Sequence, residues 1–148
     1  MEATSIIKTK ASVKGMIGDY DHNQVFITKE GYYTNGHWML KPEYVTKLLK
    51  RRIETMGGAR ERNFESEFLF EDHGHREIDY DRSEDVIGLI IAMYKAKNLD
   101  LEIGFNEKYI AWLQKNIPDF GLKAYDPNRP AFVMSGDKIA GVIAQVRL

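Results

Sequence analysis

Leu99-Asp100-Leu101-Glu102-Ile103-Gly104-Phe105, followed by Asn106, opens the stretch that decides the fold class. The seven residues read as a strand, and Asn106 suits the N-cap of a short helix running to Ile117. Pro118, Asp119 and Gly121 then stop that helix. Within it Tyr109, Ile110, Leu113 and Ile117 share one side, while Lys108 and Lys115 share the opposite side. Three strands finish the chain: Leu122 to Tyr125, Ala131 to Met134 and Ile139 to Leu148. Asp126-Pro127-Asn128 and Ser135-Gly136-Asp137 are good turn sequences between them. A strand, a helix and three strands in this order predict a sheet-rich α+β domain.

Upstream, residues 24 to 40 read as paired strands. Gln24-Val25-Phe26-Ile27-Thr28 is β-branched and aromatic, Lys29-Glu30-Gly31 turns the chain, and Tyr32-Tyr33-Thr34 resumes. Asn35-Gly36 marks a second tight turn, since both residues tolerate positive φ. A helix is expected from Pro42 to about Glu54, with Tyr44, Val45, Leu48, Leu49 and Ile53 on one face and Lys47, Lys50 and Arg51 on the other. Gly57-Gly58 closes it. In the charged middle block, Phe64 to Phe70 reads as a strand. Ser83 to Lys97 reads as a second helix, ended by Asn98 and apolar around most of its circumference, which suggests deep burial, with a pair of strands as the alternative.

Length and composition bound the rest. The chain of 148 residues has the size of one domain, and its 43% hydrophobic and 29% charged content is ordinary for a globular protein. No segment is long and apolar enough to cross a bilayer; the best run, Val86 to Tyr94, is about half the roughly 20 residues required. Met1-Glu2-Ala3-Thr4 lacks the features of a signal peptide. Zero cysteines exclude disulfides and thiolate metal sites and fit a cytoplasmic protein. A net charge of -1 argues against coating nucleic acid by bulk attraction, but leaves room for a local basic face.

Enzyme signals are weak. No glycine-rich phosphate loop and no Gly-x-Ser-x-Gly elbow is present, so no cofactor is expected. His73-Gly74-His75, flanked by Glu71, Asp72 and Glu77, is the one cluster with metal-ligand chemistry. Its charge throughout reads first as a solvated surface loop, and no metal is assigned to it. His37 beside Trp38 suits a structural turn histidine better than a catalytic base. The basic helix faces are better candidates: Lys47, Lys50, Arg51, Lys108 and Lys115 could contact phosphates without reading sequence. Any amphipathic helix also has a charged solvent face, so periodicity alone leaves both readings open.

A resemblance adds to these readings. Glu102-Ile103-Gly104-Phe105-Asn106-Glu107-Lys108-Tyr109, with Ile110 and Leu113, resembles the stretch opening the last helix of bacterial DNA polymerase sliding clamps. Tyr125-Asp126-Pro127-Asn128-Arg129-Pro130-Ala131-Phe132-Val133 and the ending Val142-Ile143-Ala144-Gln145-Val146-Arg147-Leu148 are similar to the clamp segments that follow. Tyr33-Thr34-Asn35-Gly36-His37-Trp38-Met39 looks like a second clamp signature, with Asn35 for aspartate and Trp38 for arginine. In the family these motifs wall a hydrophobic pocket for peptides of polymerases and other clients. The resemblance therefore implicates Thr34, Gly36, His37, Trp38, Met39, Val142, Ala144 and Val146. Ala144, Gln145 and Val146 stand where the family has methionine, proline and methionine. The same residues also read plainly as a turn and a core strand.

The resemblance implies one sliding-clamp-like domain, with antiparallel sheets and two or three amphipathic helices. It implies a non-catalytic replication accessory protein that binds duplex DNA, a client peptide and further copies of itself. A family subunit has three domains and pairs to close a ring, so a one-domain version would need roughly six copies. The alternative is a clamp-fold module, or inhibitor, that binds a protein partner without encircling DNA. A small metal-dependent enzyme using His73 and His75 is a third expectation.

Overall fold

The computed structural model describes residue 7 and residues 9–17, 25–96 and 100–147. Met1 to Thr4, Gln24, Lys97, Asn98, Leu99 and Leu148, on which parts of the sequence reading rest, lie outside the described residues. Among the described residues the chain forms three α-helices and one sheet of ten mostly antiparallel strands, an α+β fold.

The elements in chain order are α1 (Val13–Met16), β1 (Phe26–Ile27), β2 (Tyr33–Thr34), β3 (Trp38–Leu40) and α2 (Lys47–Thr55). There follow β4 (Arg60–Glu61), β5 (Arg76–Val86), β6 (Leu89–Ala96), β7 (Glu102–Asn106) and α3 (Glu107–Asn116). Three strands complete the fold: β8 (Phe120–Ala124), β9 (Ala131–Ser135) and β10 (Lys138–Ile143). The closing strand–helix–three-strand order is the one the sequence suggests. Asn106 caps α3, its side-chain oxygen accepting from the Lys108 amide at 3.1 Å.

The order across the sheet is β4-β1-β2-β3-β10-β9-β8-β5-β6-β7, with only the β1–β4 pair parallel. The last strand of the chain thus joins the first half to the second. The sheet also curls back on itself. Edge strand β7 meets the chain that leaves β10, where the Val146 amide donates to the Gly104 carbonyl at 2.8 Å. That bridge covers an edge that would otherwise offer unpaired backbone groups.

Alternation along the strands divides the side chains between two faces. Trp38, Leu40, Ala92, Tyr94, Ile103, Phe105, Ala131 and Val133 join Leu49, Ile53, Ile110, Leu113 and Ile117 of the helices in one core. All three helices therefore lie on the same side of the sheet. Met39, Phe132, Met134 and Val142 point the other way and pack beneath Leu69 and Phe70.

Three expectations are corrected. Ser83 to Lys97 is not a helix: β5 and β6 form a hairpin turned by Ile87 and Gly88. Its apolar run belongs to a strand buried on both faces, because Gly104 on β7 leaves room for Ile91 and Met93 on the side away from the main core. Phe64 to Phe70 is not a strand. Glu67–Phe70 is a short 3-10 helix laid over the second face of the sheet, and no strand pairs with it. The helix expected from Pro42 is divided in two. Pro42–Tyr44 is a 3-10 turn, and Thr46 restarts the chain as α2 by capping the Leu49 amide. Leu48, expected on the apolar face, points to solvent.

Candidate nucleic-acid interface

Helix α2 buries Leu49 and Ile53 and leaves Lys47, Lys50 and Arg51 exposed. Helix α3 buries Ile110, Ala111, Trp112 and Leu113 and leaves Lys108 and Lys115 exposed, two turns apart on one side. Among the described residues none of these five cations forms an ion pair. Helix α1 packs against both α2 and α3. It adds exposed Lys14, preceded by exposed Lys10. No element is assigned to this segment from the sequence, and these two lysines are missed with it. Gly15 serves the packing: a Cβ built on it would stand 3.5 Å from the Lys108 Cβ, so the two helices touch at that point.

Carboxylates are scarce on this side. The helices carry Glu54 and Glu107 only, and Glu107 is buried. Its carboxylate accepts from the Thr9 and Ser83 hydroxyls, which tie the segment before α1 and the β5 strand to the start of α3. A negative group in the first turn also complements the helix dipole. Nothing in the letters distinguishes this glutamate from an exposed N-terminal one. By contrast Asp79, Asp81, Glu84 and Asp85 gather on β5. There Arg82 bonds Asp81, Glu84 and Glu102, holding the Asp81 carboxyl below its usual range.

The segments proposed to hold a client peptide are neighbours. Val142 pairs with Met39 and Ile143 with Trp38 across β3 and β10, and the Ala144 amide donates to the His37 carbonyl at 2.8 Å. Their side chains, however, do not converge. Trp38 is buried in the main core, its Nε1 donating to the Met16 carbonyl at 3.1 Å. Met39 and Val142 lie on the opposite face. The Thr34 hydroxyl is spent on the Trp38 carbonyl at 2.6 Å and also accepts from the Gly36 amide at 3.0 Å. Gly36, His37 and Ala144 are exposed at the turn, and Val146 lines a separate cavity of about 350 Å³ with Gln145, Pro127 and Asn128.

The turn between β2 and β3 is organised by Asn35. Its Oδ1 accepts from the His37 and Trp38 amides, and its Nδ2 donates to the Met16 carbonyl and faces the Tyr109 hydroxyl at 3.3 Å.

His73 and His75 meet a different pocket. The His75 ring is almost fully buried, stacked on Phe132 with centroids 3.8 Å apart. His73 is half-exposed, and its Nε2 is 3.7 Å from Glu71. With Phe68, Leu69, Arg129 and Pro130 they line a cavity of about 340 Å³ that is mainly apolar. The Asp72 carboxylate accepts from the His75 and Gly74 amides, which holds its pKa below the usual value. Among the described residues no group of three or more ligating side chains is arranged to hold a metal ion.

Comparison with protein-family models, with curated proteins and with solved structures gives no match to this chain.

Proposed function

We propose that this chain is a non-catalytic, sliding-clamp-like DNA accessory protein that contacts the duplex backbone through its helical face. One observation carries the reading. Three helices from distant parts of the sequence lie on one side of one sheet and expose Lys14, Lys47, Lys50, Arg51, Lys108 and Lys115. Cations on long side chains, held by a rigid base, suit repeated phosphates and carry no base-reading geometry. The balance of charge fits a directed surface, since the whole chain is slightly acidic while this side is basic. The closing strand–helix–three-strand unit adds the resemblance that first suggested the family.

Replacing Lys47, Lys50, Arg51, Lys108 and Lys115 by glutamate tests it. Duplex affinity measured by fluorescence anisotropy is expected to disappear while thermal unfolding stays cooperative. Wild-type retention of DNA by that variant removes the assignment. Exposed Lys138, replaced in the same way, serves as a control at the far end of β10.

A second reading is favoured by the mainly apolar cavity beside exposed Phe68. In it, the chain is an interaction module that takes an apolar side chain of a protein partner there. Phe68→Ala would weaken such a partner and leave duplex binding unchanged.

A further inference from the structure

The tip of the β5–β6 hairpin, from Asp85 to Ile90, extends beyond both neighbouring strands, since β6 pairs with β7 only from Ile91 to Lys95. Strand β5 pairs with β8 only through Arg76, Glu77 and Ile78; beyond them its one partner strand is β6. At the tip Ile87 is fully exposed, and Val86 and Leu89 are each more than a third exposed. Ile87 also has φ of 50°, a conformation in which a β-branched side chain is strained. The tip thus places an apolar residue where neither burial nor backbone preference favours it. Asparagine or glycine would satisfy the turn better.

Among the described residues the fully exposed Ile87 has no neighbour to pack against. Glu84 and Asp85 flank it on the adjoining strand; Arg82 pairs with Glu84, and further from the tip Asp81 is held by Arg82 and Lys95. The opposite arrangement stands on α2. Leu48 is 63% exposed, in the midst of exposed Lys47, Lys50 and Arg51. One surface is apolar with an acidic surround and the other is apolar with a basic surround, both on the same chain.

We propose that the hairpin tip docks on α2 of a second copy of this chain, with Ile87 against Leu48 and with Glu84 and Asp85 beside Lys47, Lys50 and Arg51. Each copy carries both surfaces, so the contact is heterologous and continues from copy to copy until it closes. Charge complementarity steers the encounter and makes it sensitive to salt. The contact takes the same α2 cations that the proposed function gives to the duplex, so a second copy and DNA compete for them, and association is measured without DNA.

Light scattering over a concentration series tests this, without DNA, at about 30 mM and about 300 mM salt. Mean mass is expected to rise with concentration at low salt and to return toward the monomer at high salt. Ile87→Asn is expected to weaken association by about 10- to 100-fold, the effect of burying one such side chain. Its melting temperature should hold or rise, because asparagine tolerates the turn; loss of association is thereby separated from unfolding. Arg51→Glu is expected to weaken association from the other surface. An equimolar mixture of the two variants retains one intact contact and should give a one-to-one complex and nothing larger. A wild-type monomer throughout the low-salt series, unchanged association of Ile87→Asn, or no complex in the mixture would each overturn the proposal.

Discussion

Gly141 of β10 lies so close to β3 that a Cβ built on it would stand 2.0 Å from the Met39 carbonyl oxygen. The two strands join the first and second halves of the chain, so this approach fixes how the halves meet. The obstacle is backbone and cannot rotate away. Gly141→Ala is therefore expected to cost about 3 kcal/mol or more, beyond the usual range for overpacking. At Gly121 a Cβ would meet only the Met134 Cβ, at 4.0 Å, and alanine there is expected to cost about 1 kcal/mol or less. Urea unfolding of the two variants checks the contrast.

Asn35 stands where the clamp signature has aspartate. The structure gives the amide work that a carboxylate cannot do, since Nδ2 donates to the Met16 carbonyl at 3.2 Å and faces the Tyr109 hydroxyl. Asn35→Asp keeps the acceptor for the His37 and Trp38 amides but sets a negative oxygen against a carbonyl. A loss of about 1–3 kcal/mol at neutral pH is expected, read from the urea midpoint.

How much of this was legible in the letters depends on what each segment touches. The block from Glu102 onward was readable because its helix has a clear cap and its turns carry Pro118, Pro127 and Gly136, with fixed φ at the prolines and positive φ at the glycine. The β5–β6 hairpin was not, because Ile91 and Met93 fill space above Gly104 while Ala92 and Tyr94 enter the main core. A strand apolar on both faces has the composition of a buried helix, and periodicity cannot separate them. Ile87 at the turn hid the hairpin further. On the helical side Lys47, Lys50, Arg51, Lys108 and Lys115 were legible as exposed. That α1 would lie against α2 and α3 and add Lys14 depends on tertiary packing.

Acid should weaken one particular tie. The Ser66 hydroxyl and amide both donate to Glu30, at 2.7 and 2.9 Å, and lower its pKa from 4.5 to about 2. A carboxyl depressed by folding stabilises the fold above its unfolded pKa, and that contribution is lost as pH falls through the folded value. The contribution of Glu30 is therefore complete above pH 4.5 and declines toward pH 2. Melting temperatures of wild type and Glu30→Gln should differ most near neutrality and converge toward pH 2. A constant difference across that window would contradict the assignment.

Trp38 and Trp112 are both buried, so native fluorescence is expected to be blue-shifted and to move red on unfolding. Trp38→Phe removes the donor to the Met16 carbonyl and part of the core volume, while Asn35 still donates to that carbonyl. A cost of about 1–3 kcal/mol is expected in thermal or urea unfolding, below that of complete truncation to alanine.

The most direct test of the central claim is the salt dependence of binding to two duplexes of unrelated sequence. Five or six phosphate-contacting cations should give equal affinities for both and a log–log slope of about -4.5 to -5.4, roughly a 500- to 1,800-fold loss between 50 and 200 mM salt. Absence of binding at the lowest salt, a salt-independent affinity, or a strong preference for one sequence would contradict a helical face that reads only the DNA backbone.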